Sequence, residues 1–330
     1  MAVCGEGGRY GGGGHVRCGD GRGAALNAEV AGGEQDLQSY YGRPIIKAPV
    51  WTDEIGWYLW VGGLAGASSV LAAFARARGE TVLARRALLA AAAGAVVSPA
   101  LLIADLGRPE RFLNMLRVIK PTSPMNMGSW ILTSFGACAG AAAASDLLDK
   151  YHTFGRCAEW SAALCGLALC TYTGVLLADT AVPVWHEART SLPLVFGASA
   201  AASAGAWGML VTPLRSAGAA RYAMLAGCLS SALATRRMKR ELGYFLAEPC
   251  RIGSPAKLGR LATGLMLAGS VVGGALGAKH RAAAAVAGAC VLAGTLFERF
   301  SIFRAGTLSA LDPKYTVGPQ AAAGGREAPV

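Results

Sequence analysis

The sequence predicts an all-α integral membrane protein, a bundle of about eight transmembrane helices with a short interfacial helix after the second span. Of the 330 residues, 53% are hydrophobic, and the mean hydropathy is +0.40. Only 15% are charged, whereas soluble domains are usually about a quarter charged. The apolar residues form long runs, most of which lack the polar face of a soluble helix.

Eight runs are candidates to cross a bilayer, for which about 20 apolar residues suffice. Arg221 interrupts the sixth run, so seven spans are the alternative, although an arginine near a helix end can extend its head group to the interface. The eighth run is short before Glu298 and is expected to continue through residues 299–303. The predicted spans are Ile55–Ala75, Ala87–Ala104, Met127–Ser145, Trp160–Ala178, Leu192–Leu214, Ser216–Thr235, Leu261–Ala278 and Ala282–Phe297.

The membrane domain is predicted to cover residues 40–312, in which residues 40–54 mix aromatics, prolines and charges as interfacial segments do. Residues 1–39 are glycine-rich and polar, which is typical of a disordered tail. They contain neither the apolar core of a signal peptide nor the Gly-Lys-Ser/Thr sequence of a phosphate-binding loop. Residues 313–330 are predicted to be a C-terminal tail.

The stretch from Ala104 to Gly128 is a markedly polar connection between two apolar runs. Asp105 ends the second span, and a carboxylate at the edge of hydrocarbon is costly to keep charged unless it is paired or functional. Arg108 is within reach as its counter-ion. Residues 109–120 are predicted to form a short helix in the interface plane, because Pro109 suits a first helical position.

An eight-span topology places several polar side chains at the same membrane face as Asp105, near the start of the first span and the end of the fourth. A quinone head group needs hydrogen bonds at both carbonyl oxygens and two protons on reduction. Carboxylates and histidine can relay these protons, and tyrosine can donate a hydrogen bond. The predicted quinone-binding and proton-transfer residues are Glu54, Asp105, Arg108, Tyr172, Asp179 and His186.

A structural role is the alternative for each of these residues. Asp105 and Arg108 would then form an ion pair that fixes a loop, and Tyr172 would be a core side chain with a satisfied hydroxyl. His186 would be an interfacial histidine beside Trp185. The sequence alone leaves both interpretations open.

No haem, iron–sulfur cluster, metal site or catalytic residue is expected in this chain, and quinone is expected as a substrate. All four histidines lie outside the predicted spans, whereas membrane haem requires ligands inside them. The nine cysteines include no CxxC pair, and those in apolar runs are typical of small buried hydrophobes. The net charge of +11 is explained by positive flanks of membrane helices, so nucleic acid is not an expected partner.

With eight spans, most of the 31 Lys and Arg residues fall on the side of Asp105 and both termini. The positive-inside rule therefore predicts that this side faces the cytoplasm. A partner-binding surface is the alternative explanation of the charge. The main contribution comes from Arg236, Arg237, Lys239, Arg240, Arg251, Lys257 and Arg260.

Four stretches resemble the NrfD/PsrC family, the membrane subunits of polysulfide-reductase-like complexes, and in particular its actinobacterial members. The longest is ADLGRPERFLNMLRVIKPTSPMNMGSW at residues 104–130, which contains Asp105 and Arg108. The others are YYGRPIIKAPVW at residues 40–51, YTGVLLADTAVPVWHEA at residues 172–188 and DPKYTVGPQ at residues 312–320.

The resemblance implies an eight-helix subunit of the bacterial plasma membrane that has no cofactor of its own. It would pass electrons between the quinone pool and a ferredoxin-like iron–sulfur subunit of a molybdopterin enzyme, as in anaerobic respiration. Such relatives commonly hold their partners outside the membrane, in conflict with the charge bias. One alternative is a structural anchor for these partners. A small transporter is less favoured, because only Ser98-Pro99 and Arg221 interrupt the spans.

Overall fold

The computed structural model describes residues 45–47, 49, 51–105 and 110–323, and in these ranges all regular structure is helical, as predicted. The long helices are α1 (Asp53–Ala77), α2 (Thr81–Asp105), α4 (Pro124–Leu148), α5 (His152–Ala178), α7 (Leu192–Val211), α8 (Gly218–Glu241), α10 (Gly253–Ala275) and α11 (Arg281–Leu311). The short helices are α3 (Glu110–Met115), α6 (Pro183–Glu187), α9 (Gly243–Leu246) and α12 (Lys314–Ala323), with 3-10 turns at Leu214–Ser216 and Glu248–Cys250. The predicted tail at residues 1–39 and Arg108 lie outside the described residues.

Consecutive long helices run in opposite directions, so their termini collect at two ends of the bundle. At one end, Thr52 before α1 hydrogen-bonds to Asp105 at the end of α2. At the same end, Ser191 before α7 hydrogen-bonds to Glu241 at the end of α8. We call this the Asp105 end. It contains the starts of α1, α4, α7 and α10 and the ends of α2, α5, α8 and α11.

The opposite end is held by Arg76 in the last turn of α1, and we call it the Arg76 end. Arg76 Nη2 lies 2.9 Å from Asp146 Oδ1 in α4, and Arg76 Nε lies 2.7 Å from Glu159 Oε2 in α5. These side chains are largely buried. Because a buried charge is costly without its partner, this set of contacts fixes how α1, α4 and α5 meet.

Seven of the long helices in the described part are long and apolar enough to cross a membrane, and α8 is not among them. The cause is its composition, with Arg221 near the start and several cations in the last two turns. Nevertheless, α8 runs antiparallel to α7 over its length. The start of α8 contacts the end of α7, because a Cβ at Gly208 would meet Ala220. The end of α8 contacts the start of α7, because Glu241 hydrogen-bonds to Ser191. The chain therefore returns to the Asp105 end, as the eight-span topology predicts.

The predicted end of the interfacial helix was wrong. Helix α3 ends at Met115, not at Lys120, because residues 116–120 turn back towards α4. The last long helix continues past Glu298 through residues 299–303, as predicted, and extends further to Leu311. Glu298 and Arg299 therefore lie in the middle of α11, where both find partners inside the bundle. After α11, Tyr315 in α12 is buried, and its hydroxyl donates to Glu248 Oε2 at 3.1 Å.

Close backbone contact through glycine holds α1 against α5. A Cβ at Gly66 would lie 2.6 Å from the carbonyl oxygen of Gly166, and a Cβ at Gly166 would lie 2.5 Å from that of Gly66. Ser69 extends this contact by donating its hydroxyl to the Ala162 carbonyl oxygen at 3.1 Å. In a bilayer, small residues of this kind replace the hydrophobic effect as the means of helix association.

We expect Gly66→Ala to lower the free energy of unfolding by about 2 kcal/mol, because a methyl group in this contact forces α1 and α5 apart. Gly140→Ala on α4 is the matched control, since a Cβ there would meet no atom within 4 Å. The control should be neutral or slightly stabilising because alanine favours helix. Thermal unfolding of the detergent-solubilised chain measures both, and equal behaviour of the two variants would contradict the proposed role of Gly66.

Candidate functional site

Asp105 connects the end of α2 to the start of α1. Its Oδ1 accepts two hydrogen bonds from Thr52, one from the backbone N–H at 3.1 Å and one from the hydroxyl at 2.7 Å. The carboxylate thus lies near the N-terminus of α1, where the helix dipole favours negative charge. This placement offsets the unfavourable position of Asp105 at the C-terminus of its own helix.

Three of the predicted site residues lie at the surface of the Asp105 end. Glu54 is in the first turn of α1, Asp179 immediately follows α5, and His186 belongs to the short helix α6. All three are exposed. Among the described residues, no recorded contact joins Asp179 or His186 to Asp105. The three residues therefore lie at the same end of the bundle but do not form one hydrogen-bond network.

The neighbour of His186, Trp185, anchors α6 on the bundle. Trp185 is fully buried, and its Nε1 donates to the Ile302 carbonyl oxygen at 3.0 Å. Its ring stacks between those of Trp51 and Phe303, with both centroid separations at 5.8 Å. A rigid α6 therefore holds His186 in place at the Asp105 end.

Tyr172 is buried deeper, where α1, α2, α4 and α5 meet. Its ring and hydroxyl occupy the space in front of Gly128 in α4, where a Cβ would clash with both. Tyr172 lies near Tyr58 in α1, and both side chains are buried. At the helical rise, Tyr58 lies about 9 Å below Thr52, and Tyr172 about 10 Å below Asp179. The two phenols therefore share one depth beneath the Asp105 end.

Ser98 in α2 is the third polar side chain at this depth. Gly62 of α1 is near both Ser98 and Tyr58, since a Cβ there would lie 3.7 Å from Ser98 Oγ and 4.0 Å from the Tyr58 ring. The Ser98 hydroxyl is buried and has no hydrogen-bond partner among the described residues. The following residue, Pro99, lacks an N–H, which frees the Ala95 carbonyl of the same helix. We call Tyr58, Ser98 and Tyr172 the inner polar cluster.

Arg299 in α11 is a buried charge that the sequence analysis did not select. Its Nη2 donates to the Phe196 carbonyl oxygen at 2.6 Å, and its guanidinium lies 3.7 Å from the centroid of the Phe196 ring. It also faces Gly63 of α1, where a Cβ would lie 3.2 Å from Nη2. A charged residue inside an apolar helix is a functional candidate by default. The sequence could have indicated Arg299, because it lies in the apolar run that continues past Phe297.

Glu298, adjacent to Arg299 in sequence, is held by α8. Its carboxylate accepts hydrogen bonds from the hydroxyls of Ser231, at 2.9 and 3.0 Å, and Thr235, at 3.1 Å. It lines a cleft of about 520 Å³ between α8, α10 and α11. These bonds join α8 to α11, whereas the main packing partner of α8 is α7.

Asn126, which sequence analysis also missed, fixes the connection between α3 and α4. Its side chain donates to the Met115 carbonyl oxygen and accepts from the Lys120 backbone N–H at 2.7 Å. Trp130 Nε1 adds a hydrogen bond to the Val118 carbonyl oxygen at 3.3 Å. Residues 115–120 are therefore tied to the first turns of α4, and this tie ends α3.

We expect Asn126→Ala to increase hydrogen exchange and tryptic cleavage in residues 115–120 by about thirtyfold, because two hydrogen bonds of roughly 1 kcal/mol each are lost. Asn114→Ala is the control, since Asn114 is exposed on α3. Exchange measured by mass spectrometry on the solubilised chain would separate the two variants. Equal protection in both would show that Asn126 does not hold this segment.

Among the described residues, no group of three or more His, Cys, Asp or Glu side chains is arranged to hold a metal ion. The polar side chains at the Asp105 end are instead suited to hydrogen bonding and proton exchange. Asp105 can accept and release a proton, and the inner polar cluster offers hydroxyl groups within reach of an uncharged ligand.

A comparison with protein families matches residues 37–312 to the family model NrfD_2, described as polysulfide reductase. The match covers all eight long helices together with the connection that contains Asp105. A comparison with curated proteins gave no match.

Proposed function

The chain belongs to the NrfD-type polysulfide reductase family and is a multi-pass membrane component of an oxidoreductase complex, and from this premise we propose that it binds quinone or quinol at the Asp105 end. It exchanges electrons there with an iron–sulfur partner. The observation that carries the proposal is the inner polar cluster, which lies between α1, α2, α4 and α5 beneath the Asp105–Thr52 contact.

The chemistry of a quinone fits this arrangement. Its ring is apolar and enters between membrane helices, while each carbonyl oxygen requires a hydrogen-bond donor. Tyr58 and Tyr172 supply phenolic donors, and Ser98 supplies a buried hydroxyl that has no hydrogen-bond partner in the described part of the chain. Such buried donors favour a ligand that accepts their hydrogen bonds, because an unmatched donor costs about 1–3 kcal/mol.

Proton exchange with the aqueous side is the proposed role of the carboxylates. Asp105 lies between the inner polar cluster and the surface, and it accepts two hydrogen bonds while retaining a second carboxylate oxygen. Glu54, Asp179 and His186 surround the same end at the surface. Oxidation of a quinol releases two protons with its two electrons, and these groups provide acceptors along the way out.

The electrons of the quinol pass to a ferredoxin-like iron–sulfur subunit, which in turn serves a molybdopterin catalytic subunit. We place that partner at the Asp105 end, since transfer is favoured by a short distance from the quinone. The exposed cationic side chains in the last two turns of α8 provide a polar surface on which such a partner can dock.

The substitution Asp105→Asn removes the ionisable group but keeps an oxygen that accepts from Thr52, so the fold and the assembled complex should persist. We expect reduction of the iron–sulfur partner by a soluble menaquinol or ubiquinol analogue to slow by at least tenfold, since proton transfer by a side chain contributes about 10²–10⁴-fold. Stopped-flow absorbance on the purified complex measures this rate. Asp149→Asn, an exposed residue at the Arg76 end, is the matched control.

The same experiment distinguishes a quinone site from a structural anchor. An anchor requires only that the partner remain bound, so Asp105→Asn would leave the rate unchanged in a correctly assembled complex. Copurification of the iron–sulfur partner, checked by iron analysis, establishes assembly in each variant. A normal rate with full assembly would contradict the role proposed for Asp105.

The Asp105 end is proposed to face the cytoplasm of a bacterial plasma membrane, because it carries most of the cationic residues. Tyr244→Cys and Tyr151→Cys introduce thiols at exposed positions of the Asp105 end and the Arg76 end respectively. We expect a membrane-impermeant maleimide added to intact cells to label Tyr151→Cys above the parent chain and to leave Tyr244→Cys at the parent level. The reverse pattern would place the docking face outside.

A further inference from the structure

The cleft between α8, α10 and α11 is separate from the proposed quinone site. It lies towards the Asp105 end on the outer side of the bundle and has a volume of about 520 Å³. Part of its wall is apolar. The apolar side chains that line it are Met238, Ala256, Ala262 and Ile302.

Three cationic side chains line the same cleft from different elements. Lys239 is in the last turn of α8, Arg251 follows a 3-10 turn, and Arg260 lies in the second turn of α10. Arg260 Nε donates to the Ala256 carbonyl oxygen at 3.4 Å, so its head group is directed along α10 towards the Asp105 end. The cations therefore converge at the depth expected for lipid head groups.

Glu298 is the carboxylate among the lining residues, and its charge is already engaged by Ser231 and Thr235. Three cations against one carboxylate leave an excess of positive charge in the cleft. Such an excess at a membrane interface favours an anionic ligand.

A second cleft, of about 600 Å³, adjoins the first and shares Arg260 and Gly264 with it. Leu261 and Leu265 line it together with Lys257. Helix α10 lines both clefts. Only 22% of its apolar segment is buried inside the bundle, the smallest share among the candidate spans. An apolar surface next to a cationic cleft thus faces the lipid.

We propose that these adjoining clefts bind one anionic phospholipid. Its phosphate lies among Lys239, Arg251 and Arg260, and its acyl chains lie along Leu261 and Leu265. The phosphate offsets part of the excess of positive charge, and the chains cover the apolar surface of α10. A free phosphate would meet the cations but leave that apolar surface uncovered, so the pairing of the two surfaces favours a lipid.

The test measures lipid binding to the delipidated full-length chain in detergent, with native mass spectrometry and thermal unfolding as two readouts. We expect cardiolipin or phosphatidylglycerol to bind and stabilise the chain, and phosphatidylcholine or inorganic phosphate to have no effect. The triple variant Lys239→Gln, Arg251→Gln, Arg260→Gln should weaken binding of the anionic lipid roughly 100-fold, at about fivefold for each charge near the surface. Arg251→Gln alone should weaken it about fivefold.

The control is a second triple variant, Arg117→Gln, Lys120→Gln, Arg189→Gln, which removes the same formal charge from exposed positions at the same end that line neither cleft. It should bind anionic lipid with an affinity within about threefold of the parent chain, since the charges lost lie on other elements than the clefts. Equal weakening in both triple variants would overturn the proposal in favour of a diffuse electrostatic effect. Stabilisation by inorganic phosphate alone would overturn it in favour of a free-anion site.

Discussion

Hydrocarbon offers no hydrogen bonds, so polar groups inside the bundle depend on the protein for their partners. The Ser203 hydroxyl donates a hydrogen bond to the Ser199 carbonyl oxygen, one turn earlier in the helix, at 2.9 Å. Glu298 takes hydroxyl donors from α8, and Arg299 uses the carbonyl and ring of Phe196. These contacts require neighbouring helices to be close, and the glycines allow that approach. The close packing of the helices therefore also provides the partners that the buried charges need.

Several buried polar groups of the described residues are exceptions to this rule. The Ser98 hydroxyl and two guanidinium nitrogens of Arg299 are buried without hydrogen-bond partners among the described residues. Ser98 is level with Tyr58 and Tyr172, and Arg299 is one to two turns deeper, beside Gly63. A buried polar group without a partner requires an explanation, and a bound ligand is one. Their position beneath Asp105 supports a ligand between the N-terminal helices, whereas the cleft beside α10 has the charge and exposure suited to lipid.

The sequence predicted the helix class and alternating topology well, because long apolar runs have few alternatives in a membrane. It singled out Asp105, whose recorded partner is Thr52, which lies 53 positions away in the chain and gave no local signal. Glu298 and Arg299 were missed because charges normally end a span, and their partners come from α7 and α8. The role of Asn126 in holding residues 115–120 against α4 was missed, because a single polar side chain near a helix start is usually a cap.

The central claim, that quinone binds beneath Asp105 between α1, α2, α4 and α5, is tested most directly by photo-crosslinking. A photoreactive quinone analogue is added to the purified complex, irradiated with and without excess native quinone, and mapped by peptide mass spectrometry. The account predicts label that native quinone displaces, in the peptides of α1, α2 and α5 that contain Tyr58, Ser98 and Tyr172. Displaceable label confined to the cleft of α8, α10 and α11, or no displaceable label, would contradict it.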